Sequence, residues 1–331
     1  MRGERMTEDS ILSVLLAEED YISGEELAGR LGVTRNSVWK GIRKLRRAGY
    51  RIDAATNRGY ILRQDEDMLA EPYIRRSLRG AAEKAVFEMH ATLDSTNNRA
   101  KELAAAGAGD FTVVVTNHQD RGKGRLGRSF FSPAGSGIYF SVILRENLGL
   151  ANAPLITTYA AVAAARAVER LSGGEVQIKW VNDLYMDWKK ICGILTEASI
   201  DFEGGRLEYA VVGIGINVLH VEFPEEVARV ATTVEDATGA KISRSALIAE
   251  ILNELAHIGE ALRDRTYLEE YREKSIVLGN PVDVYYGNEV FPAVAKAIDD
   301  DGALLVETEA GIRKINAGEV SIKLRKQEEK Q

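Results

Sequence analysis

The sequence is poor in the residues that cross-link proteins or bind metals. Its 331 residues include one cysteine, Cys192, which excludes an intrachain disulfide and fits a reducing compartment. The four histidines lie far apart and lack the spacing of metal-ligand pairs; they are His90, His118, His220 and His257. Disulfide-rich secreted folds and zinc modules are therefore excluded.

Long apolar runs are missing as well. No stretch reaches the length that crosses a membrane, and the first residues do not form a secretion signal. We therefore expect a cytoplasmic protein without a membrane partner. No internal repeat is visible, and the length predicts two or three domains.

Positive charge is scarce overall but concentrated near one end. The formal net charge is −7, yet residues 1–65 carry 12 Lys and Arg against 10 Asp and Glu. From Arg35 to Arg63 there are nine basic residues and one acid, Asp53. A basic face on an acidic protein indicates a partner that carries phosphate groups.

These basic residues fall on a predicted winged helix-turn-helix. Apolar residues in 8–20 share one helical face, Ser23 begins a second helix and Gly32 ends it. Thr34 caps a third helix, and a turn at 57–59 joins two short strands into a wing. Arg and Asn at the start of the third helix can contact base edges, which favours DNA binding over a small protein-binding domain. The candidate DNA-binding residues are Ser23, Thr34, Arg35, Asn36, Ser37, Trp39, Lys40, Arg43 and Arg58.

A second basic stretch, residues 119–128, is rich in glycine. It holds three glycines and four basic residues, a composition that favours binding of a phosphate or carboxylate. The glycines also satisfy the dinucleotide pattern G-x-G-x-x-G, but Pro133 follows where that pattern requires a helix. The motifs that accompany a protein-kinase loop are absent. A solvated basic loop without a ligand remains the alternative.

Polar residues further along the chain suit ATP and a hard cation. Lys179 ends a predicted strand, and Asn182 and Asp183 occupy the turn that follows it. A hairpin follows, and Lys190 lies where its second strand begins, so two lysines are available for phosphates, and Asp183 and Asn182 for the cation. Asn217 lies in an apolar strand and needs a polar partner. Turn formation alone would explain Asn182 and Asp183.

Two other features suggest that further groups lie close to the backbone. The run 94–97 precedes a predicted helix, whose polar N-terminus can bind a small polar group, although helix capping explains the same run. Gly213 and Gly215 interrupt a buried strand, which weakens the strand unless another group must come close. Beyond residue 280, five short strands predict a small barrel.

Four motifs resemble those of bacterial biotin protein ligases that also act as biotin operon repressors. The family carries a Gly-Arg-Gly-Arg-x-Gly-Arg loop, a Lys-Trp-Pro-Asn-Asp motif, a Lys ahead of Gly-Ile-Leu, and a Gly-x-Gly-Ile-Asn strand. Here they stand in this order as Gly122–Arg128, Lys179–Asp183, Lys190–Leu195 and Gly213–Asn217. Lys123 replaces the first loop Arg, which keeps the charge but not bidentate geometry, and Val181 replaces the motif Pro.

The resemblance implies an α+β multidomain fold. It would comprise a winged helix-turn-helix (1–65), a linker (66–85), a central α/β mixed-sheet ligase domain (86–272), an SH3-like barrel (273–325) and a tail (326–331). It also implies activation of biotin by MgATP to biotinyl-5′-AMP, followed by transfer to a lysine of the biotin carboxyl carrier protein of acetyl-CoA carboxylase. The adenylate would act as corepressor, pairing two chains on a palindromic operator.

Site roles follow from the same resemblance. The catalytic residues would be Arg125, Lys179 and Lys190, with Asp183 holding Mg²⁺. Biotin would contact Ser95, Thr96, Asn97, Gln119, Lys123, Gly124, Arg125 and Lys190. ATP would contact Lys123, Arg125, Arg128, Lys179, Asn182, Asp183 and Asn217. The alternatives are a lipoate–protein ligase with the same central fold, a regulator that only senses biotin, and a ligase whose winged helix has lost its operator.

Overall fold

The computed structural model describes residues 2–47, 50, 52–63, 67–145, 153–201, 206–286, 289–316 and 320–324. These residues form two compact units, one ending at Ser77 and the other beginning at Leu78. The predicted tail, 326–331, lies outside the described residues. The predicted α+β class is confirmed, while the exact domain bounds stay a prediction.

The first unit is a small helical domain with a β-hairpin. Its elements are α1 (Arg2–Ala17), α2 (Gly24–Leu31), α3 (Arg35–Arg47), β1 (Ile52–Ala55), β2 (Gly59–Leu62) and α4 (Glu71–Arg75). The core draws on every element from α1 to β2 and contains Ile11, Leu12, Leu15, Ile22, Leu27, Ala28, Val38, Ile42, Leu45, Ile52 and Leu62. The helical spacing of Val38, Ile42 and Leu45 predicts an apolar stripe on the third helix, and this stripe is its buried face.

Local sequence explains the ends of these elements. The Ser23 hydroxyl accepts a hydrogen bond from Glu26 N at 3.0 Å and so caps α2. Gly32 ends α2 with φ +64°, a left-handed conformation that favours glycine. Gly59 has φ +104°, and a Cβ there would lie 2.1 Å from the Ile22 carbonyl oxygen. Glycine is thus required where β2 packs against residue 22.

The second unit is built on a seven-stranded mixed sheet. Its order is β3-β4-β5-β9-β8-β7-β6, with β3 and β4 parallel and all other neighbours antiparallel. The elements up to the last strand are β3 (Val86–His90), α5 (Thr96–Ala105), β4 (Thr112–Thr116), β5 (Gly137–Leu144), α6 (Ala153–Ser172), β6 (Gln177–Lys179), β7 (Asp183–Met186), β8 (Lys189–Asp201) and β9 (Arg206–Asn217). All eight residues of β5 are buried, so this strand is covered on both faces.

Helices follow β9. They are α7 (Glu225–Ala228), α8 (Val234–Thr238), α9 (Arg244–Leu255), α10 (Ile258–Asp264) and α11 (Tyr267–Glu273). The apolar spacing over 247–262 predicts one amphipathic helix, which is wrong because the helix breaks at Ala256 and His257. α9 is also buried on more than one face, and Glu250 and Asn253 are held there by polar contacts from Arg79.

The chain ends in an antiparallel sheet of five short strands, as predicted. They are β10 (Pro281–Tyr286), β11 (Glu289–Ile298), β12 (Leu304–Thr308), β13 (Gly311–Ile315) and β14 (Val320–Leu324). The order is β13-β12-β11-β10-β14, so consecutive strands are neighbours except for the last. Short turns between strands explain this arrangement, in keeping with an SH3-like domain.

Candidate active site

A cavity of about 410 Å³ opens over the middle of the mixed sheet. It brings together residues from the start of α5, the basic loop, the β6–β7 turn, β8 and β9. The sequence-predicted residues that line it are Ser95, Thr96, Asn97, Gln119, Lys123, Gly124, Arg125, Arg128, Lys179, Asn182, Asp183 and Lys190. Segments as far apart in sequence as those of Ser95 and Gly215 therefore meet at one place.

Glycines in β8 and β9 make room on the sheet for this cavity. Gly193 and Gly215 are paired across the two strands, and the Phe130 ring lies against both of them. A Cβ at Gly215 would lie 2.7 Å from that ring, and one at Gly213 would lie 1.9 Å from Asn97 Oδ1. Glycines in a strand predict that another group comes close to it, and here those groups are the side chains of Asn97 and Phe130 in the cavity wall.

Gly213→Ala is expected to damage this wall. The new methyl group overlaps the Asn97 amide, so we expect a loss of about 1–3 kcal/mol in the free energy of unfolding and weaker ligand binding. Gly109→Ala is the matched control, because a Cβ there meets nothing within 4 Å. Thermal unfolding of both variants checks this; equal melting temperatures would contradict it.

One end of the cavity is a buried polar cluster. Ser95 is the N-cap residue of α5, but its side chain makes no capping hydrogen bond. Thr96 N donates to Gln119 Oε1 at 2.9 Å, and Gln119 Nε2 donates to Ser132 Oγ at 3.0 Å. Asn97 Nδ2 donates to the Leu195 carbonyl at 3.1 Å. Helix capping alone therefore does not explain the polar residues at 95–97, which line the cavity.

The Arg125 guanidinium uses only part of its hydrogen-bonding capacity among the described residues. Its Nη1 donates to Asn182 Oδ1 at 3.1 Å, while Nη2 is buried without a hydrogen-bond partner among the described residues. Burial lowers the pKa of Arg125, and the nearby Asp183 carboxylate acts against this shift. A guanidinium held in this way can donate to an anion in the cavity.

The two lysines lie at the end of β6 and near the start of β8. Lys190 Nζ donates to Asp183 Oδ1 at 2.7 Å and lies 6.0 Å from the centre of the Phe130 ring. Lys179 Nζ lies 5.7 Å from the centre of the Tyr185 ring. Asn182 holds the β6–β7 turn in place, because its Nδ2 donates to the Ile194 carbonyl at 2.8 Å. These contacts fix positive charge beside the cavity.

The donor set suits a metal that arrives with a nucleotide. Within the described residues, no group of three or more His, Cys, Asp or Glu could hold a metal. Asp183 is the one carboxylate in the described lining, and it already accepts from Lys190. Mg²⁺ is commonly held by one or two carboxylates together with substrate phosphates, so Asp183 fits that role.

Asn217 lies outside the cavity lining. Its Nδ2 donates to the Thr232 carbonyl at 3.2 Å, which gives this buried amide the partner it needs. Three aromatic residues that the sequence motifs did not predict as ligand contacts also line the cavity: Phe130, Trp180 and Tyr285. Trp180 is buried and donates from Nε1 to the Gly302 carbonyl, so its position depends on the last sheet of the chain.

The candidate DNA-binding residues are described within the first unit alone. Thr34 Oγ1 accepts from Ser37 N at 3.1 Å and caps α3, so both residues are engaged there. Along the exposed face of α3, the Arg43 guanidinium lies 4.7 Å from the centre of the Trp39 ring. Arg58, in the wing, pairs with Asp20 at 2.7 Å. Asn36 and Lys40 are exposed beside them, forming a polar and basic face.

Family comparisons match three segments. The sequence profile of the "Biotin/lipoate A/B protein ligase family" matches residues 89–217, which contain most of the cavity. An "HTH domain" profile matches residues 7–61, and a "Biotin protein ligase C terminal domain" profile matches residues 277–323. No helix in the described ranges is long and apolar enough to cross a membrane.

Individual relatives match nearly the whole chain. "Bifunctional ligase/repressor BirA" of Bacillus subtilis is 34% identical over 316 residues, covering 92% of this chain and 95% of its own length. The protein of that name from Escherichia coli is 30% identical, covering 94% and 96%. A solved structure of "Biotin protein ligase from Aquifex aeolicus in complex with biotin and ATP" is 28% identical, with a TM-score of 0.62. It covers 72% of this chain and 99% of its own.

Proposed function

The chain belongs to the biotin protein ligase family, and from that premise we propose that it is a bifunctional biotin ligase and repressor. The observation that carries the ligase activity is the juxtaposition of the polar cluster around Thr96 with the cations Arg125 and Lys190 in one cavity. The polar cluster suits the cyclic urea of biotin, and the two cations suit the biotin carboxylate and the phosphates of ATP.

In the first step the biotin carboxylate attacks the α-phosphorus of ATP. A carboxylate oxygen–phosphorus bond forms, the bond to the β-phosphate oxygen breaks, and pyrophosphate leaves with the electron pair. Lys179 and Lys190 both line the cavity, and in this proposal they offset negative charge that develops on the phosphate oxygens. A magnesium ion bound by Asp183 and the phosphates would neutralise charge on the leaving group.

In the second step an acceptor lysine attacks the carbonyl carbon of biotinyl-5′-AMP. An amide bond forms, AMP leaves, and the amine loses a proton to solvent. Before this attack the mixed anhydride must be kept from water. The free Nη2 of Arg125 can hold the adenylate phosphate, and the loop at 122–128 then covers it. The acceptor we propose is the biotin carboxyl carrier protein.

Competition between biotin and lipoate tests the substrate. Adenylate products are measured by mass spectrometry with both acids at equal concentration. We expect biotinyl-5′-AMP alone, because the polar cluster offers hydrogen bonds that a dithiolane ring cannot use. Lipoyl-5′-AMP as the main product would contradict the proposal. Binding of biotin without any adenylate would support a regulator that only senses biotin.

Repression is proposed from the first unit. The basic face of α3 and the wing suit phosphate and base contacts, and a homodimer formed when the adenylate is bound would hold two such faces. We expect biotin with ATP to tighten binding to the operator about tenfold. Gel-shift titration with and without both ligands measures this. Asn36→Ala should lower the affinity for the operator in both conditions. Equal affinity in the two conditions would contradict regulation by the adenylate.

A further inference from the structure

Behind the polar end of the cavity lie two residues that do not line it. Ser141, fully buried on β5, places its Oγ 2.8 Å from Thr96 Oγ1 and 2.7 Å from Asn97 Oδ1. Glu197 on β8 accepts from Asn97 Nδ2 at 2.9 Å and from Lys101 Nζ at 2.6 Å. A continuous hydrogen-bond network therefore connects the Lys101–Glu197 ion pair to Thr96.

The direction of this network is fixed by groups that can only accept. Asn97 Nδ2 lies between the Leu195 carbonyl and the Glu197 carboxylate, so the amide must turn its oxygen toward Ser141. Burial acts to raise the pKa of Glu197, but hydrogen bonds from Lys101 and Asn97 outweigh it and lower that pKa. Glu197 therefore stays an acceptor, and the single Ser141 proton is shared between two acceptors, the oxygens of Asn97 and Thr96, in a three-centre hydrogen bond.

The Thr96 hydroxyl proton is also used inside the protein. Thr96 N and Oγ1 both donate to Gln119 Oε1, at 2.9 and 3.3 Å. With the Ser141 proton directed at its oxygen, Thr96 Oγ1 has only a lone pair to present to the cavity. A ligand at this point must therefore bring an N–H or O–H donor.

We propose that Ser141 and Glu197 are positioning residues that hold Thr96 Oγ1 as an acceptor, so that the cavity selects an acid whose ring carries an N–H group. The proposal rests on the proposed function and deepens it. Biotin has two ring N–H groups and a dithiolane has none. A substrate without the N–H leaves the cavity-facing lone pair of this oxygen without a donor, which a hydrogen-bonding site penalises.

The test uses two isosteric biotin analogues, each with one ring NH replaced by CH₂. Isothermal titration gives their dissociation constants alongside that of biotin. For the wild type we expect one analogue to bind at least about tenfold more weakly than biotin. In Ser141→Ala the Thr96 oxygen loses the donor that orients its lone pair, so the hydroxyl can rotate away from Gln119 and turn its proton toward the cavity. The affinity for biotin should then fall about tenfold. The ratio of that analogue's dissociation constant to the dissociation constant of biotin should shrink to about threefold or less.

Kinetic measurements distinguish loss of the positioning role from a general loss of structure. In Ser141→Ala the KM for biotin should rise, while the KM for ATP and the kcat of pyrophosphate exchange stay unchanged. Ser275→Ala is the control, since it also deletes a buried serine hydroxyl, one without a partner among the described residues, and should change none of these values. Should Ser141→Ala not fold, Glu197→Ala is expected to lose the same selectivity. Glu197→Gln should retain it, because its amide oxygen still accepts from Asn97.

Each outcome decides one point. An analogue penalty that is the same in wild type and in the variants would overturn the positioning role, while biotin adenylation would stand. Equal affinity of the wild type for biotin and both analogues would overturn it as well. Failure of the wild type to bind biotin at all would overturn the proposed function itself.

Discussion

Lys190→Met is expected to lower the kcat of adenylate formation about 10²- to 10³-fold, the usual loss when one positioned donor to a developing negative charge is removed. Methionine keeps most of the volume and removes only the ammonium group. Lys190 Nζ also holds Asp183 at 2.7 Å, so the variant leaves that carboxylate without its neutralising partner beside the phosphates. Rapid-quench formation of biotinyl-5′-AMP at saturating ATP and biotin measures the effect.

The neighbouring lysine provides the control. Lys189 is exposed and its Nζ donates to the Ala228 carbonyl, away from the cavity lining. Lys189→Met should therefore leave adenylate formation within about twofold of wild type, since such surface changes are usually small. If the two methionine variants lost the same activity, the charge of Lys190 would have no special role.

Arg125→Ala is expected to release the adenylate about 10²-fold faster than wild type, while pyrophosphate exchange continues. The reason is the buried Nη2, which has no partner among the described residues and is available to an anion in the cavity. Hydrogen bonds to charged groups contribute about 1.5–3 kcal/mol each, and 1.4 kcal/mol is a factor of ten. Free biotinyl-5′-AMP, followed by chromatography after a single turnover, measures the release.

Arg121→Ala is the matched control for the loop. Arg121 is exposed and does not line the cavity, so its loss should leave release unchanged. Equal release by the two alanine variants would mean that overall loop charge retains the adenylate. Unchanged release by Arg125→Ala alone would contradict the assigned role.

Local chemistry made the candidate site largely predictable. The basic loop, the two lysines and the polar run at 95–97 each have a composition that suits anions or small polar groups, and they line one cavity. The strands were also predictable, because alternating apolar residues and turn residues act over short distances. The glycine pair at 213 and 215 was identified as a place of close approach, and the side chains of Asn97 and Phe130 come close there.

Features set by strand register could not be predicted in this way. Ser141 contacts Asn97 because β5 pairs with β9 so that Ser141 lies opposite Gly213, where no side chain intervenes. Alternating apolar residues from Ile138 to Leu144 predict one buried face for β5, yet all eight of its residues are buried. Asn217 was assigned to ATP from its motif, while its amide reaches Thr232, in a segment that pairs with Lys190. Such pairings depend on distant residues that carry no local signal.

The break at Ala256 shows the same limit for helices. Apolar spacing continues from α9 into α10, so periodicity alone predicts one helix. Buried Glu250 and Asn253 in α9 accept from Arg79, more than 170 residues earlier in the sequence, a contact that no local pattern indicates. The predicted helical content was correct there, and only the division was wrong.

Biotin-dependent exchange of labelled pyrophosphate into ATP tests the central claim most directly. Exchange requires that biotin attack the α-phosphorus reversibly, so it reports adenylate formation without the carrier protein or DNA. We expect the wild type to exchange label only when biotin is present, and lipoate not to replace it. Binding of biotin without any exchange would contradict the claim and leave a regulator that senses biotin.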